Sequence, residues 1–212
     1  MQAFAVHSDD DDERMRRMGA PENEVPVPVP VSAVLGRSDN AAVTLTGVQV
    51  YSTGITFALG LRCRPAVLDL LEDRNVGGLL FGHGRPRSQL LVGVEFADGR
   101  RASNLPGRGL FADPAGRDSL VFHPGGGGGG QLAADQQMWL SPVPPDGPLR
   151  LVVRCDLLQL PETVTELDGT AIRAAAADVV ALWPWVSPRE AEPPAPVPAP
   201  DLPPGSWFAR PA

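Results

Sequence analysis

The sequence contains no lysine: its 18 basic residues are all arginines, against 25 acidic residues, and the formal net charge is −7. A nonspecific nucleic-acid binder needs a basic surface, so this balance argues against nucleic acid as a partner. A phosphate-binding P-loop ends in lysine followed by serine or threonine, and the lack of lysine excludes that motif. The excess of Ala, Gly, Pro, Val and Leu is typical of a genome rich in G and C.

Cysteine and histidine are also scarce, with two and three residues respectively. Cys63 and Cys155 each lie in a strand-like apolar context, which predicts buried, reduced thiols. A disulfide between them would need adjacent strands and an oxidising compartment. The histidines are too few and too dispersed for a His-rich metal site, so we expect no metal and no cofactor.

No apolar run approaches the roughly 20 residues that span a bilayer. The first residues, MQAFAVHSDDDDER, lack the basic and apolar regions of a secretory signal. These absences predict a cytoplasmic protein with no membrane partner.

The sequence does contain many short strand patterns separated by turn signals. Residues 41–63 alternate apolar and polar positions, with a change of phase that predicts a β-bulge at Gly47 and a tight turn at 52–54. Asp98–Gly99 and the PPDG of 144–147 mark further turns. The pattern predicts a mainly β fold, an antiparallel β-sandwich with one C-terminal helix, and an immunoglobulin-like topology is the favoured hypothesis.

The composition divides the chain into four parts. Residues 1–24 are expected to form an acidic flexible tail, although the aspartate run followed by arginines could support a short helix. The sandwich is assigned to 25–167 and opens on VPVPVPV, which predicts an extended segment leading to an edge strand. A helix with Asp168 as N-cap is expected over 168–185, packed on the domain, and 186–212 is predicted to be a Pro-rich disordered tail.

Six consecutive glycines, 125–130, follow a histidine and a proline. A phosphate cradle needs a helix after the glycines, but the next residues predict a strand. We therefore expect a mobile loop from Pro124 to about Gln136 at one end of the sandwich.

His123 is the residue best suited to general-base chemistry. Asp135 and Asp118 are carboxylates that could assist it in a hydrolase, with His83 and Ser119 as further neighbours in sequence. No spacing ties these residues together, and the motifs G-x-S-x-G, H-E-x-x-H and C-x-x-C are missing. They remain weak candidates beside a structural role for His123.

Two further groups of residues have alternative interpretations. Glu162, Glu166 and Asp168 could divide acid and base roles as in glycosidases, or could be a solvated strand face and a helix cap. The tryptophans at 139, 183 and 185 predict core or sandwich-edge anchors, with a sugar-stacking platform as the alternative.

Trp207 and Phe208 follow a Pro-rich spacer of about 20 residues near the end of the sequence. Adjacent aromatics on such a tether can serve as a docking peptide, because proline reduces the entropy lost on binding. We expect these two residues to contact a protein partner, and a noncatalytic interaction module is the favoured function. A hydrolase and a carbohydrate-binding sandwich are the alternatives.

The glycine run followed by W-x-x-P-x-P-P-x-G-P-L and an L-P-E-T segment resembles a group of actinobacterial proteins. The resemblance covers roughly residues 25–185. No activity is attached to that group, so the resemblance implies no functional residue.

Overall fold

The computed structural model describes residues 9–81, 89–105 and 119–187, and this part of the chain is mainly β. Every strand pairing within it is antiparallel. The strands are β1 (Glu24–Val25), β2 (Val27–Arg37), β3 (Ala41–Tyr51), β4 (Gly54–Cys63), β5 (Leu91–Glu95), β6 (Arg101–Ser103), β7 (Val121–Gly129), β8 (Ala133–Ser141), β9 (Pro148–Cys155), β10 (Leu160–Asp168) and β11 (Val180–Ala181). The helices are α1 (Asp9–Arg17), α2 (Gly77–Phe81) and α3 (Gly169–Ala175), with short 3-10 helices at Pro65–Leu70 and Ala176–Asp178.

The larger sheet has five strands in the order β2-β3-β4-β8-β7. Its inner face places apolar residues directly opposite one another, for example Leu45 against Leu59 and Val48 against Phe57. Between these pairs the register shifts at Gly47, whose φ is +62°. The predicted bulge is therefore present, and it keeps Val48 on the buried face after the phase change.

The second sheet has four strands in the order β10-β9-β5-β6. Val92 and Val94 of β5 face Val153 and Leu151 of β9, and all four side chains are buried. They belong to one continuous hydrophobic core with the inner residues of the larger sheet. The sequence-based prediction of a mainly β, sandwich-like fold is confirmed, while an immunoglobulin-like topology stays a prediction.

The predicted turns are found where glycine was expected to permit them. Gly99 and Gly147 both have positive φ, +88° and +110°, and they lie between β5 and β6 and between β8 and β9. L-amino acids with a Cβ rarely adopt such backbone angles, which explains glycine at both positions.

The prediction of a mobile glycine loop from Pro124 to Gln136 is wrong. Strand β7 continues through the glycines to Gly129, with Gly127 opposite Gln136 and Gly129 opposite Ala134 of β8. The pairing register of β7 with β8 shifts between Pro124 and Gly127, where β7 forms a bulge. Glycine has no side chain to show alternation, so the pairing with β8 was not visible in the sequence.

The C-terminal helix is shorter than the predicted 168–185. Asp168 is the N-cap, as expected, and accepts a hydrogen bond from the Ala171 amide at 3.0 Å. Ile172 is buried in the core and the partly buried Ala175 and Ala176 pack against it, and α3 gives way to a 3-10 turn and then to β11. The alanines at 174–177 are thus helical as expected, whereas residues 180–181 pair with β1 instead of continuing the helix.

The interval 1–24, expected to be a flexible tail, contains ordered elements from Asp9 onward, namely α1 and β1. The aspartate run begins α1 and Arg14, Arg16 and Arg17 lie in its last turn, a distribution that suits the helix dipole. Of the predicted disordered tail, only residues 186–187 lie within the described part of the chain.

Candidate functional site at the joined chain ends

The first and last described segments of the chain meet on one side of the sandwich. Strand β1 pairs with β11, placing Glu24 opposite Ala181 and Val25 opposite Val180. The buried side chain of Asn23 donates to the Trp183 carbonyl at 2.7 Å, and the Leu182 amide donates to the Asn23 carbonyl at 2.8 Å. We call residues 12–25 together with 180–187 the terminal junction.

The terminal junction is attached to the outer face of the larger sheet. The indole N–H of Trp139 donates to the Arg17 carbonyl at 2.8 Å, and the Thr53 hydroxyl donates to the Arg16 carbonyl at 3.2 Å. Trp139 is only 3% exposed although its neighbours Met138 and Leu140 point into the core on the opposite face. A side chain on the outer face is therefore buried because α1 and the residues after it cover it.

Two cavities open at this junction. The larger, about 650 Å³, lies between α1 and the β3–β4 turn and is lined by Asp12, Glu13, Ser52 and Thr53 among others. The smaller, about 330 Å³, is lined mainly by Met15, Pro21, Trp183, Pro184 and Val186, and we call it the junction groove. Both are also lined by Arg16 and Trp185.

The shared wall carries one charged and one aromatic side chain in contact. The Arg16 guanidinium carbon lies 5.5 Å from the centre of the Trp185 ring, a cation–π arrangement. Four buried polar atoms of the terminal junction have no hydrogen-bond partner among the described residues: Asp12 Oδ1, Arg16 Nε, Asn23 Oδ1 and Ser187 Oγ. Leaving a buried polar group unpaired costs about 1–3 kcal/mol, so these atoms lower the stability of the terminal junction.

Large exposed apolar side chains concentrate at the junction. Trp183 is 58% exposed and Val180 56% exposed, and outside the junction the described chain exposes four large apolar side chains, those of Val34, Leu70, Leu105 and Val164. Grouped apolar side chains at a surface mark contact sites, whereas single ones are ordinary. The junction group consists of Met18, Val25, Val180, Leu182, Trp183 and Val186.

The structure uses His123 to hold this junction in place. Its Nε2 lies 2.6 Å from the Met18 carbonyl oxygen and its Nδ1 lies 3.1 Å from the carbonyl oxygen of Pro124. Among the described residues, both ring nitrogens thus face backbone carbonyl oxygens. In this arrangement His123 links Met18, just after α1, to strand β7.

Asp135, one of the two carboxylates proposed beside His123, is not brought to it. Asp135 forms an ion pair with Arg62 at 2.7 Å and lies opposite Gly128, whereas His123 lies opposite Trp139. Four residues along a strand separate the two positions by about 13 Å. Asp118 and the further candidate His83 lie outside the described residues.

The remaining acidic candidates are in structural positions as well. Glu166 pairs with Arg150, which also pairs with Glu95 across the outer face of the smaller sheet. Asp168 caps α3. Among the described residues, no group of three or more His, Cys, Asp or Glu side chains could hold a metal ion.

The predicted aromatic anchors divide between the core and the surface. Trp139 is a buried anchor and contacts the Tyr51 ring edge-to-face at a centroid distance of 5.9 Å. The same prediction fails for Trp183, which is mostly exposed. Trp207 and Phe208 lie outside the described residues.

No pattern in the sequence predicts the terminal junction as a whole. The pairing of β1 with β11 involves two-residue strands far apart in the chain, and such short non-local contacts leave no periodicity to detect. The one local clue is LWPW at 182–185, where two tryptophans flank a proline that cannot continue a helix.

The stretch on which the sequence resemblance depends, residues 139–149, forms the end of β8, the following turn and the start of β9. It thus contributes strand pairing and a turn.

None of the described helices has the length and apolar character needed to span a bilayer. No family model, no curated protein and no solved structure matches this chain.

Proposed function

We propose that this protein is a noncatalytic protein-interaction module whose main contact surface is the terminal junction. The observation that carries the proposal is the group of exposed apolar side chains there, centred on Trp183. Tryptophan is enriched among the residues that contribute most to binding energy at protein interfaces. Trp207 and Phe208, on the Pro-rich C-terminal segment, are proposed as a second contact with the same partner.

The alternatives have less support. A hydrolase would need His123 beside a nucleophile or water and a carboxylate, but its ring nitrogens face carbonyl oxygens and Asp135 is paired with Arg62. A sugar platform would need a row of exposed tryptophans, and Trp139 is buried. The thiols of Cys63 and Cys155 suit a reducing compartment, so the cytoplasm is the proposed location.

Single substitutions at the junction test this function. We expect Val180→Ser and Trp183→Ala each to weaken binding to a partner purified with the wild-type protein about tenfold or more, because each removes apolar contact area. The partner is identified by quantitative affinity capture, and its dissociation constant is then measured with purified proteins. Deletion of residues 203–212 tests the second contact in the same assay.

Val164→Ser is the matched control, because Val164 on β10 is 57% exposed, almost the same as Val180 at 56%, but lies away from the junction. We expect it to bind like the wild type. If the junction variants and the deletion retain full affinity, neither proposed contact surface is used.

A further inference from the structure

The glycine run forms an exposed edge of the larger sheet. Strand β7 is the last strand in the order β2-β3-β4-β8-β7, and residues 125–130 are all exposed. An edge strand leaves alternate backbone N–H and C=O groups without a partner in its own sheet, and a strand from another molecule can pair with them. The edge at β7 is therefore a surface on which the sheet can be extended.

The hydrogen bonds at the end of the β7–β8 hairpin show which glycines offer these groups. The Gly130 amide donates to the Ala133 carbonyl at 2.7 Å. Hydrogen-bonded and non-hydrogen-bonded pairs alternate along an antiparallel ladder, and the pairing of β7 with β8 is regular from Gly127 to Gly129. The backbone of Gly128 therefore bonds to β8, whereas Gly127 and Gly129 direct their N–H and C=O groups away from it.

The other edge strands of the two large sheets, β2, β10 and β6, have features that hinder such pairing. Strand β2 contains Pro28 and Pro30, which lack an N–H, β10 carries the exposed Glu162, and β6 has only three residues. Proline, charge and short length are the means by which natural edge strands avoid pairing with other chains. Residues 125–129 of β7 carry neither proline nor charge.

A second copy of this chain is the occupant that this edge suits best. A strand of glycines has no side chains to form pockets, so it cannot select the sequence of a foreign peptide. A foreign strand would also leave a new open edge, whereas pairing of β7 with β7 of a second copy uses both edges at once and closes the assembly. Although each copy has a formal net charge of −7, no charged side chain in this stretch opposes its approach.

We propose that two copies of this chain pair through β7, antiparallel and about a two-fold axis, so that their five-stranded sheets become one continuous sheet. Gly127 then lies opposite Gly129 of the second copy, and Gly128 lies opposite its own equivalent. This register gives the outward N–H and C=O groups of Gly127 and Gly129 hydrogen-bond partners in both copies. The proposal goes beyond the function proposed above and does not depend on it, since no residue of the terminal junction belongs to β7.

Paired charge variants test the self-pairing. A Cβ at Gly128 meets nothing within 4 Å, so Gly128→Glu and Gly128→Arg each add a charged side chain without displacing a neighbour. Like charges directly opposite one another destabilise a strand pair, and opposite charges stabilise it. We expect each variant alone to dimerise about tenfold or more weakly than the wild type, and an equimolar mixture of the two to regain the dimer, in sedimentation velocity over a concentration series.

Gly128→Gln is the matched control, because it has the size of the Glu variant without the charge. We expect it to dimerise more strongly than either charged variant. A wild-type chain that stays monomeric up to millimolar concentration overturns the proposal. Charged variants that dimerise like Gly128→Gln also overturn it, as does a mixture that associates no more than either variant alone.

Amide hydrogen exchange of the wild type, detected by NMR, locates the pairing without any substitution. As the concentration rises and the dimer forms, the N–H groups of Gly127 and Gly129 should become protected. The N–H of Gly128, which already bonds to β8, should keep the same protection and serves as the internal control. Unchanged exchange at Gly127 and Gly129 in a chain that dimerises would show that another surface joins the two copies, and the proposal would be wrong.

Discussion

Gly127 and Gly129 are the two glycines of the run at which an added Cβ would lie less than 3.0 Å from a neighbour, and Gly127 meets backbone at the shorter distance. A Cβ built there would lie 2.7 Å from the Asp135 carbonyl oxygen and 2.7 Å from the Phe81 ring. Because one of these neighbours is backbone, Gly127→Ala must displace β7 from β8. We expect a loss of about 1–3 kcal/mol in the free energy of unfolding, measured by urea denaturation.

Gly126 and Gly128 provide matched controls in the same strand, since a Cβ at either position meets nothing within 4 Å. Alanine at these positions should leave stability unchanged or raise it by up to about 1 kcal/mol, through a less flexible unfolded chain. Equal effects at all three positions would show that β7 does not pack as described.

We predict that the free energy of unfolding of this protein depends on pH through the thiol of Cys63. Burial, and then the neighbouring thiol of Cys155, raise the pKa of Cys63 from 9.0 to about 11. The folded protein therefore keeps a proton between about pH 9 and 11 that the unfolded chain loses. The stabilising contribution is full below pH 9 and falls as the pH rises through this interval.

The measurement is urea unfolding at pH 8 and at pH 10.5 for the wild type and for Cys63→Ser, whose hydroxyl does not ionise in this range. The wild type should lose more unfolding free energy between the two pH values than the variant. Equal losses would mean that the Cys63 thiol ionises at the same pH in the folded and unfolded states.

At the scale of elements, the strands and turns that the sequence predicted are those with side chains to show the pattern. Strands β3 and β4 alternate visibly and Gly47 marks the bulge in β3, while Gly99 and Gly147 mark the turns between β5 and β6 and between β8 and β9. A shift of one residue in register would turn the apolar side chains of a strand away from the core. The alternation therefore also determines which residues of neighbouring strands lie opposite one another. The mainly β fold could be predicted for this reason.

The elements that were missed depend on contacts with distant residues. In strand β7 the glycines take the positions at which apolar and polar side chains would alternate, so the strand has no visible pattern. Its position is set by pairing with β8 and by the packing of Phe81 of α2 against Gly127. The alanines after α3 have helix propensity, but residues 180–181 pair with β1 instead. No local signal reports either contact, so most of the candidate site could not be predicted from the sequence.

Helix α1 should depend on His123 for its attachment to the sheet. His123→Ala removes the contact with the Met18 carbonyl, and we expect faster amide hydrogen exchange in residues 12–18 with little change in the core strands. Asp135→Ala is the control, because Asp135 lies on the same strand face as Trp139 but pairs with Arg62. Equal protection of α1 in both variants would contradict the role given to His123.

At the scale of the whole molecule, the described chain forms one sandwich core with an additional layer at the terminal junction. The core joins residues of both large sheets, whereas the junction depends on backbone pairing, a few side-chain hydrogen bonds and a covered tryptophan. Regions with few buried apolar contacts open more readily than the core. The surface proposed for binding is thus the part of the molecule best able to adjust to a ligand.

The hydrogen bond from Asn23 to the Trp183 carbonyl joins residues 160 positions apart along the chain. During synthesis, the N-terminal half of this contact leaves the ribosome long before residues 180–187 have been translated. The terminal junction can therefore form only after the strands of both large sheets have been made, because all of them precede residue 180. A partner that recognises this junction would bind chains that include residues 180–187 and pass over nascent chains that have not yet reached them.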